Sequence, residues 1–433
     1  MGHVREQVLA ATAGRDRVVD AVKAGALCLV ILGHSLAWTV APDGTASTTL
    51  DAVPAAAPLT WVVQTLPLFF LVAGSGLARV GGAPTPARIA GRIDRLAAPA
   101  LPLMAATLLL SLVAGRLVSS DAGMAAGLLP TQLLWFLGVY LMLVVVSPIL
   151  VRLRSGWWLL AALLAIATVD VLRVNVDETL GWLNLVLVWS LFAGAGMRLS
   201  GLRALPRGLL AAALVTSLGG AVALVVTGPY SAALITTTAT PGITNLAPPT
   251  LVLALAGIAQ VSVLLLAWSL LERLLRRDAV WVAVAVFASR AMELYLWHML
   301  GFTLAIGAVL AVGFAPGPLS LAWWLLHLAV LLVVVGAVWL AAPGLTRATG
   351  SVAGLARRLA PSDVARRSLP AAMALALLAS LLLLATSESG MADPLTPRVV
   401  IVLPYLPLVA LALLVLVTGL AGQRRAGADA PAR

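Results

Sequence analysis

The sequence predicts an all-α polytopic membrane bundle of about twelve transmembrane helices, with both termini cytoplasmic. Three observations lead there. Of 433 residues, 61% are hydrophobic and only 10% charged, and the mean hydropathy is +1.05. Soluble domains are nearer half apolar and a quarter charged, so no soluble core hides this much apolar surface. Apolar runs of about 17–25 residues, the length that crosses a bilayer as a helix, recur from near residue 20 to residue 420. Arginines collect in alternate loops, as the positive-inside rule requires.

Taken in order, a cytoplasmic tail over 1–19 is followed by spans near 20–40, 57–78, 97–116, 128–150, 156–173, 181–197, 208–228, 249–271, 291–313 and 319–342. These ten form one membrane domain, 20–342. A basic cytoplasmic loop is expected over 343–369, with Pro361-Ser362-Asp363 as a linker, then two additional spans near 370–387 and 399–420 and a cytoplasmic tail over 421–433. Charge tests this layout. Inner loops hold Arg79, Arg88, Arg92 and Arg95, then Arg152 and Arg154, and later Arg347 through Arg367, with Arg424, Arg425 and Arg433 in the tail. Outer loops keep Arg116, Arg173 and Arg398 beside acids such as Asp43, Asp121, Asp177 and Asp393. Residues 279–313 are too long for one upright span, so Trp281–Ser289 is expected to lie along the interface before a span that begins near Arg290.

The net charge of +11 would point to nucleic acid in a soluble protein. Here the arginines report topology, and no nucleic-acid partner is expected. Cys28 is the single cysteine, which excludes an intrachain disulfide. The first 19 residues carry charge and lack an apolar core, so no cleavable signal peptide is expected. A chain that writes every basic residue but one as arginine fits a GC-rich genome and a bacterial plasma membrane as its location.

The one exception is Lys23, eleven residues before His34 in VVDAVKAGALCLVILGH, 18–34. Eleven residues make about three helical turns, so both side chains project from one face, with His34 roughly 16 Å deeper. Asp20, one turn before Lys23, is placed to pair with it. A titratable side chain in hydrocarbon is costly and marks function by default. A neutral imidazole takes a proton from a hydroxyl near neutral pH. The alternative is a histidine that hydrogen-bonds a neighbouring helix and a lysine that snorkels. Glu293 and His298, in MELYLWHML, form a supporting pair, with Arg290 expected to pair with Glu293. They stand beside the His34 chemistry or serve as a buried polar cluster between helices. His327 reads as a packing histidine, and Cys28 faces away from the Lys23–His34 stripe. Arg88, Arg92 and Arg95 recur at four and three residues, a face well built for phosphate because guanidinium forks match its oxygens. The uncharged loop 229–250, rich in hydroxyls and amides, suits a neutral hydroxylated ligand, and a loop that simply cannot carry charge would look the same.

These residues resemble the acyltransferase-3 family of bacterial integral-membrane O-acyltransferases, and more narrowly its actinobacterial members, over about 15–340. The opening D-x-x-K-x10-H is similar to that family's first-helix motif. PLFFLVAGSGLA (67–78), RIDR (92–95), LWFLGVYL (134–141), WLNLVLVW (182–189), NLAPPT (245–250) and LYLWHM (294–299) follow in the family's order. The resemblance implies transfer of an acyl group, usually acetyl, from cytoplasmic acyl-coenzyme A to a hydroxyl of a cell-surface glycan, a lipid or a small molecule. It implies the catalytic role for His34 and donor roles for Lys23, Arg92 and Arg95; with the residue reading, the expected site is His34 and Lys23 as catalytic residues, Arg88, Arg92 and Arg95 for the donor, and Asp20, Glu293 and His298 in support. Acetyl-CoA is then a co-substrate, and neither a permanently bound cofactor nor a metal is expected. The family's basic residue before the histidine is usually arginine; Lys23 keeps the charge and loses the bidentate fork. A secondary transporter or an exporter of an acylated lipid or glycan is the rival reading, because about twelve spans is a common transporter layout. Such a protein has no use for the Lys23–His34 register or for RIDR, and the two halves show no repeat.

Overall fold

The computed structural model describes residues 2–41, 43–78, 85–153, 156–237, 239–360, 364–400 and 403–422. Arg79, Arg154, Pro361-Ser362-Asp363 and the tail arginines lie outside the described residues. The chain is an all-α polytopic bundle: 79% is helical, and among the described residues the strands form two short hairpins. The helices that concern the site begin with α1 (Gly2–Ala11), α2 (Arg17–Leu36), α3 (Leu66–Ala78), α4 (Pro86–Ala97) and α5 (Ala100–Leu117). Then come α6 (Leu134–Arg152), α7 (Trp157–Asn175), α8 (Leu183–Met197), α9 (Arg207–Thr227) and α10 (Leu251–Leu275). The last are α11 (Asp278–Ala288), α12 (Ala291–Ala311), α13 (Leu321–Leu359), α14 (Val364–Arg367), α15 (Leu369–Ser389) and α16 (Pro407–Ala421). Among the described residues eleven spans are long and apolar enough to cross a membrane, and α16, with 15 residues, is a shorter apolar helix.

Four segments differ from the sequence expectation, each for a local reason. The N-terminal tail is a helix: α1 packs on α11, Arg5 reaches Asp278 at 2.6 Å, and the Trp281 indole donates to Thr12 at 2.9 Å. The first span ends at Leu36, not near 40, because Trp38–Val40 (β1) pairs antiparallel with Ala46–Thr48 (β2). The expected loop over 343–369 is helical as far as Leu359, so α13 runs 39 residues through Pro343. At 1.5 Å per residue that is about 58 Å, well beyond the roughly 30 Å of hydrocarbon. Its far end stays helical because Ala353, Ala356 and Ala360 bury one face. The last span begins at Pro407, after a hairpin of Arg398–Val400 (β3) and Leu403–Tyr405 (β4).

The chain divides into two compact units. The first holds residues 1–81, 149–295 and 305–335. In it α2 starts from Asp16, whose carboxylate caps Val18 and Val19 N–H at 3.1 Å each. The core of this unit is a close crossing of α3 and α8. A Cβ on Gly74 would overlap the Ala193 carbonyl, and one on Gly196 the Leu71 carbonyl. Backbones meet there because small residues leave no side chain between them, and Phe70 and Trp189 stack beside the crossing at 4.6 Å. Helices α9 and α10 form the other large pairing, closed at one end by Arg203–Glu272 at 2.7 Å.

The second unit holds residues 82–148, 296–304 and 336–433. Its centre is α4, whose apolar face (Ile89, Ala90, Ile93, Ala97) is at most 1% exposed. That face is covered by α14, α15 and α16. The two additional spans are therefore packing helices, and what they pack is the arginine-bearing helix.

Candidate active site

The first unit carries the Lys23–His34 face. Both residues lie on the uninterrupted α2, so the eleven-residue register holds as one face of one helix. Asp20 is 7% exposed and shared: Arg15 Nε is 2.7 Å from one oxygen and Lys23 Nζ 3.6 Å from the other. Arg15 is the closer partner, and the Lys23 side chain is 40% exposed. Cys28 is exposed on another face.

His34 lies in the last turn of α2, two residues from its end, not midway along it. Its ring hydrogen-bonds the Val30 backbone one turn earlier. An imidazole that donates one N–H to a carbonyl keeps a lone pair on its other nitrogen, the form a general base needs.

Sequence reasoning set His327 aside as packing, and the structure brings it to the turn that bears His34. His327 is 1% exposed; its Nδ1 lies 2.5 Å from the Ser35 carbonyl, and Ser35 Oγ donates to the His327 carbonyl at 3.3 Å. Its ring sits against Trp323 at 4.0 Å and Trp38 at 4.6 Å. Trp38 is held by Thr49, whose hydroxyl donates to the Trp38 carbonyl at 3.0 Å. No periodicity links positions 35 and 327; two tryptophans one turn from a histidine in WWLLH were the only signal.

The uncharged loop 229–250 turns its polar groups inward. Asn245 donates to the Ser231 and Ala233 carbonyls at 2.7 and 2.8 Å and accepts from Thr250 at 2.6 Å. Trp61 and Gln64 donate to the carbonyls of Ala232 and Leu234. Asp170, 2% exposed, accepts from Asn184 (2.8 Å), Tyr230 (3.0 Å) and the Leu251 N–H (2.8 Å). Burial first, and then the Asp170 charge, push the Tyr230 phenol well above its ordinary range, so it remains a donor. These hydroxyls and amides clamp the loop, which corrects the reading of it as a ligand surface. Along the sequence nothing separates Asp170 and Arg173 from the other charges near the ends of spans.

The second unit carries the arginine face. Arg88 and Arg95 are exposed. Arg92 donates to the Tyr140 hydroxyl at 2.7 Å with its guanidinium 5.9 Å from that ring, so the LWFLGVYL segment orients RIDR. Asp94, the one acid on α4, pairs with Arg357 of α13 at 3.4 Å. His298 is fully buried, edge-on to Phe302 at 5.8 Å, while Glu293 sits in the first turn of α12, where a carboxylate suits the helix dipole. Lys23, Asp20, His34 and Glu293 thus belong to one compact unit, and Arg88, Arg92, Arg95 and His298 to the other.

A family model described as an acyltransferase domain (Acyl_transf_3) matches residues 16–342. The match encloses every candidate residue above except Arg15 and Arg357. No curated protein and no solved structure matches the chain.

Proposed function

Because the chain belongs to this acyltransferase family, we propose that it moves an acyl group, acetyl in the simplest case, from acyl-coenzyme A to a hydroxyl of a glycan, lipid or small-molecule acceptor. The observation that carries this reading is the common face of Lys23 and His34 on one helix inside the family match. In the first unit the part-exposed Lys23 side chain offers a cation to phosphate, and in the second the exposed Arg88 and Arg95 offer forks to phosphate, with Arg92 oriented by Tyr140. A lysine holds phosphate as a point charge and arginine as a fork, so orientation falls to the arginines. His34 acts as general base: it takes the acceptor proton as the hydroxyl oxygen attacks the thioester carbonyl, and returns it to the coenzyme A thiolate as the tetrahedral species collapses. Base catalysis of this kind contributes about 10²–10⁴-fold. The plasma membrane of a bacterium is the location this chemistry fits, with donor on the cytoplasmic side.

The test is transfer of label from acetyl-coenzyme A into the lipid and glycan fractions of membranes that hold wild type, His34→Ala or Lys23→Ala. Label that is lost with His34→Ala and reduced with Lys23→Ala supports the reading and names the acceptor class. Equal label from all three well-expressed proteins would mean that His34 is structural.

A further inference from the structure

Four buried polar atoms without a hydrogen-bond partner among the described residues lie on the strand that follows His34 and on the helix that packs against it. They are Trp38 Nε1, Thr39 Oγ1, Trp323 Nε1 and His327 Nε2. Their residues are 7%, 2%, 2% and 1% exposed. The three rings pack as a tilted stack in which His327 touches both indoles, 4.0 Å and 46° from Trp323 and 4.6 Å and 55° from Trp38. Burying an unpaired donor opposes folding, so such groups are few in native proteins and each calls for an explanation. Packing alone does not supply one: phenylalanine fills an aromatic slot with no N–H to leave unpaired.

We infer that this stack is the oxyanion-binding wall of the acyl site, with the indole N–H groups of Trp38 and Trp323 donating to the acyl carbonyl oxygen. The inference rests on the acyltransferase reading above. An indole N–H only donates, so it can neither act as base nor compete for the proton that His34 takes. Its partner must be an oxygen that gains negative charge, and acyl transfer creates one. The acceptor oxygen forms a bond to the thioester carbon as His34 removes its proton, and the carbonyl π pair moves onto oxygen. That oxyanion takes the two N–H donors. The pair then returns, the carbon–sulfur bond breaks, and the thiolate leaves with the proton held by His34. Donors fixed in a water-poor site act strongly because they need no reorganisation as charge develops.

Chain geometry keeps wall and base together. Ser35, next to His34, is bonded in both directions to His327, and Trp38 is four residues after His34 in a hairpin strand. His327 is then a positioning residue, the ring between the two indoles.

The test places 3-benzothienylalanine at position 38 or at position 323 of the full chain in place of tryptophan, which keeps the bicyclic ring and its volume and puts sulfur where the N–H was. Thermal unfolding is measured in detergent, and label transfer from acetyl-coenzyme A in membranes. Each variant is expected to unfold at or above the wild-type temperature, because an unpaired buried donor has gone. The maximal rate is expected to fall about ten- to a hundredfold with the apparent KM for acetyl-coenzyme A unchanged. Stability and rate moving in opposite directions is a result that a packing role does not produce. Wild-type rates in both variants, with His34→Ala inactive, overturn the inference alone and leave these N–H groups idle or bonded to water. Rate loss that merely follows a lower unfolding temperature overturns it as well. No transfer by well-expressed wild type overturns the acyltransferase reading, and this inference with it.

Discussion

His327 and Ser35 hold one another from both sides: the imidazole Nδ1 meets the Ser35 carbonyl at 2.5 Å, and the Ser35 hydroxyl donates to the His327 carbonyl at 3.3 Å. The pair ties α13 to the last turn of α2, one residue beyond the proposed base.

His327→Ala removes the ring and leaves the Ser35 carbonyl without its side-chain partner, at a cost of about 1–3 kcal/mol for a buried group. His327→Gln offers an amide in place of the ring nitrogen. Label transfer is expected to fall more than about tenfold in Ala and to recover partly in Gln, with maximal rate affected and donor KM not. Equal loss in both variants, matched by equal loss of folded protein, would reduce His327 to packing.

Lys23→Arg restores the planar fork at the mouth of the Lys23–His34 face. Because the Lys23 side chain is 40% exposed and its ammonium lies 3.6 Å from Asp20, the larger head is accommodated. The KM for acetyl-coenzyme A is expected to fall about two- to fivefold, with maximal rate unchanged. Steady-state kinetics at fixed low salt read this directly, and a raised KM would show that Lys23 does not meet the donor phosphates.

Asp94 and Arg357 form a charge pair on the arginine helix. Arg357→Gln leaves a carboxylate within about a Debye length of Arg95, and binding of coenzyme A is expected to weaken about two- to fivefold at low salt. Asp94→Asn added to Arg357→Gln should restore it. Calorimetry on the four members of this cycle, repeated at high salt where the difference shrinks, checks the sign; a double variant as weak as Arg357→Gln would assign Arg357 to direct contact or packing.

Asp170→Ala strands the donors of Asn184, Tyr230 and Leu251 at once. A destabilisation of about 3–5 kcal/mol is expected, while Asp170→Asn, which keeps the shape and one acceptor, costs less. Thermal melts in detergent give the order, and activity per folded molecule should be unchanged by the Asn variant, because this cluster clamps a loop.

Much of this protein was legible in its residues taken in order. Membrane class followed from composition, because apolar surface on this scale has no aqueous solution. The shared face of Lys23 and His34 followed from helix periodicity, a local rule that needs no knowledge of neighbours. The shared face of Arg88, Arg92 and Arg95 followed for the same reason. Where local rules compete, the reading failed. The glycines and arginines of 344–359 suggested a loop, and buried Ala353 and Ala356 kept it helical. An apolar run through Trp38 suggested continued helix, and pairing with Thr48 made it strand.

What the sequence determined by itself was therefore what spacing within one element sets: the register of Lys23 on His34 and the arginine face of α4. Only tertiary structure decided which distant residues complete those faces. Ser35 meets His327 across 292 positions, Asp94 meets Arg357 across 263, and Tyr230 reaches Asp170 across 60. Such contacts are chosen by packing of helices whose order along the chain does not specify their neighbours, so no pattern along the chain announces them.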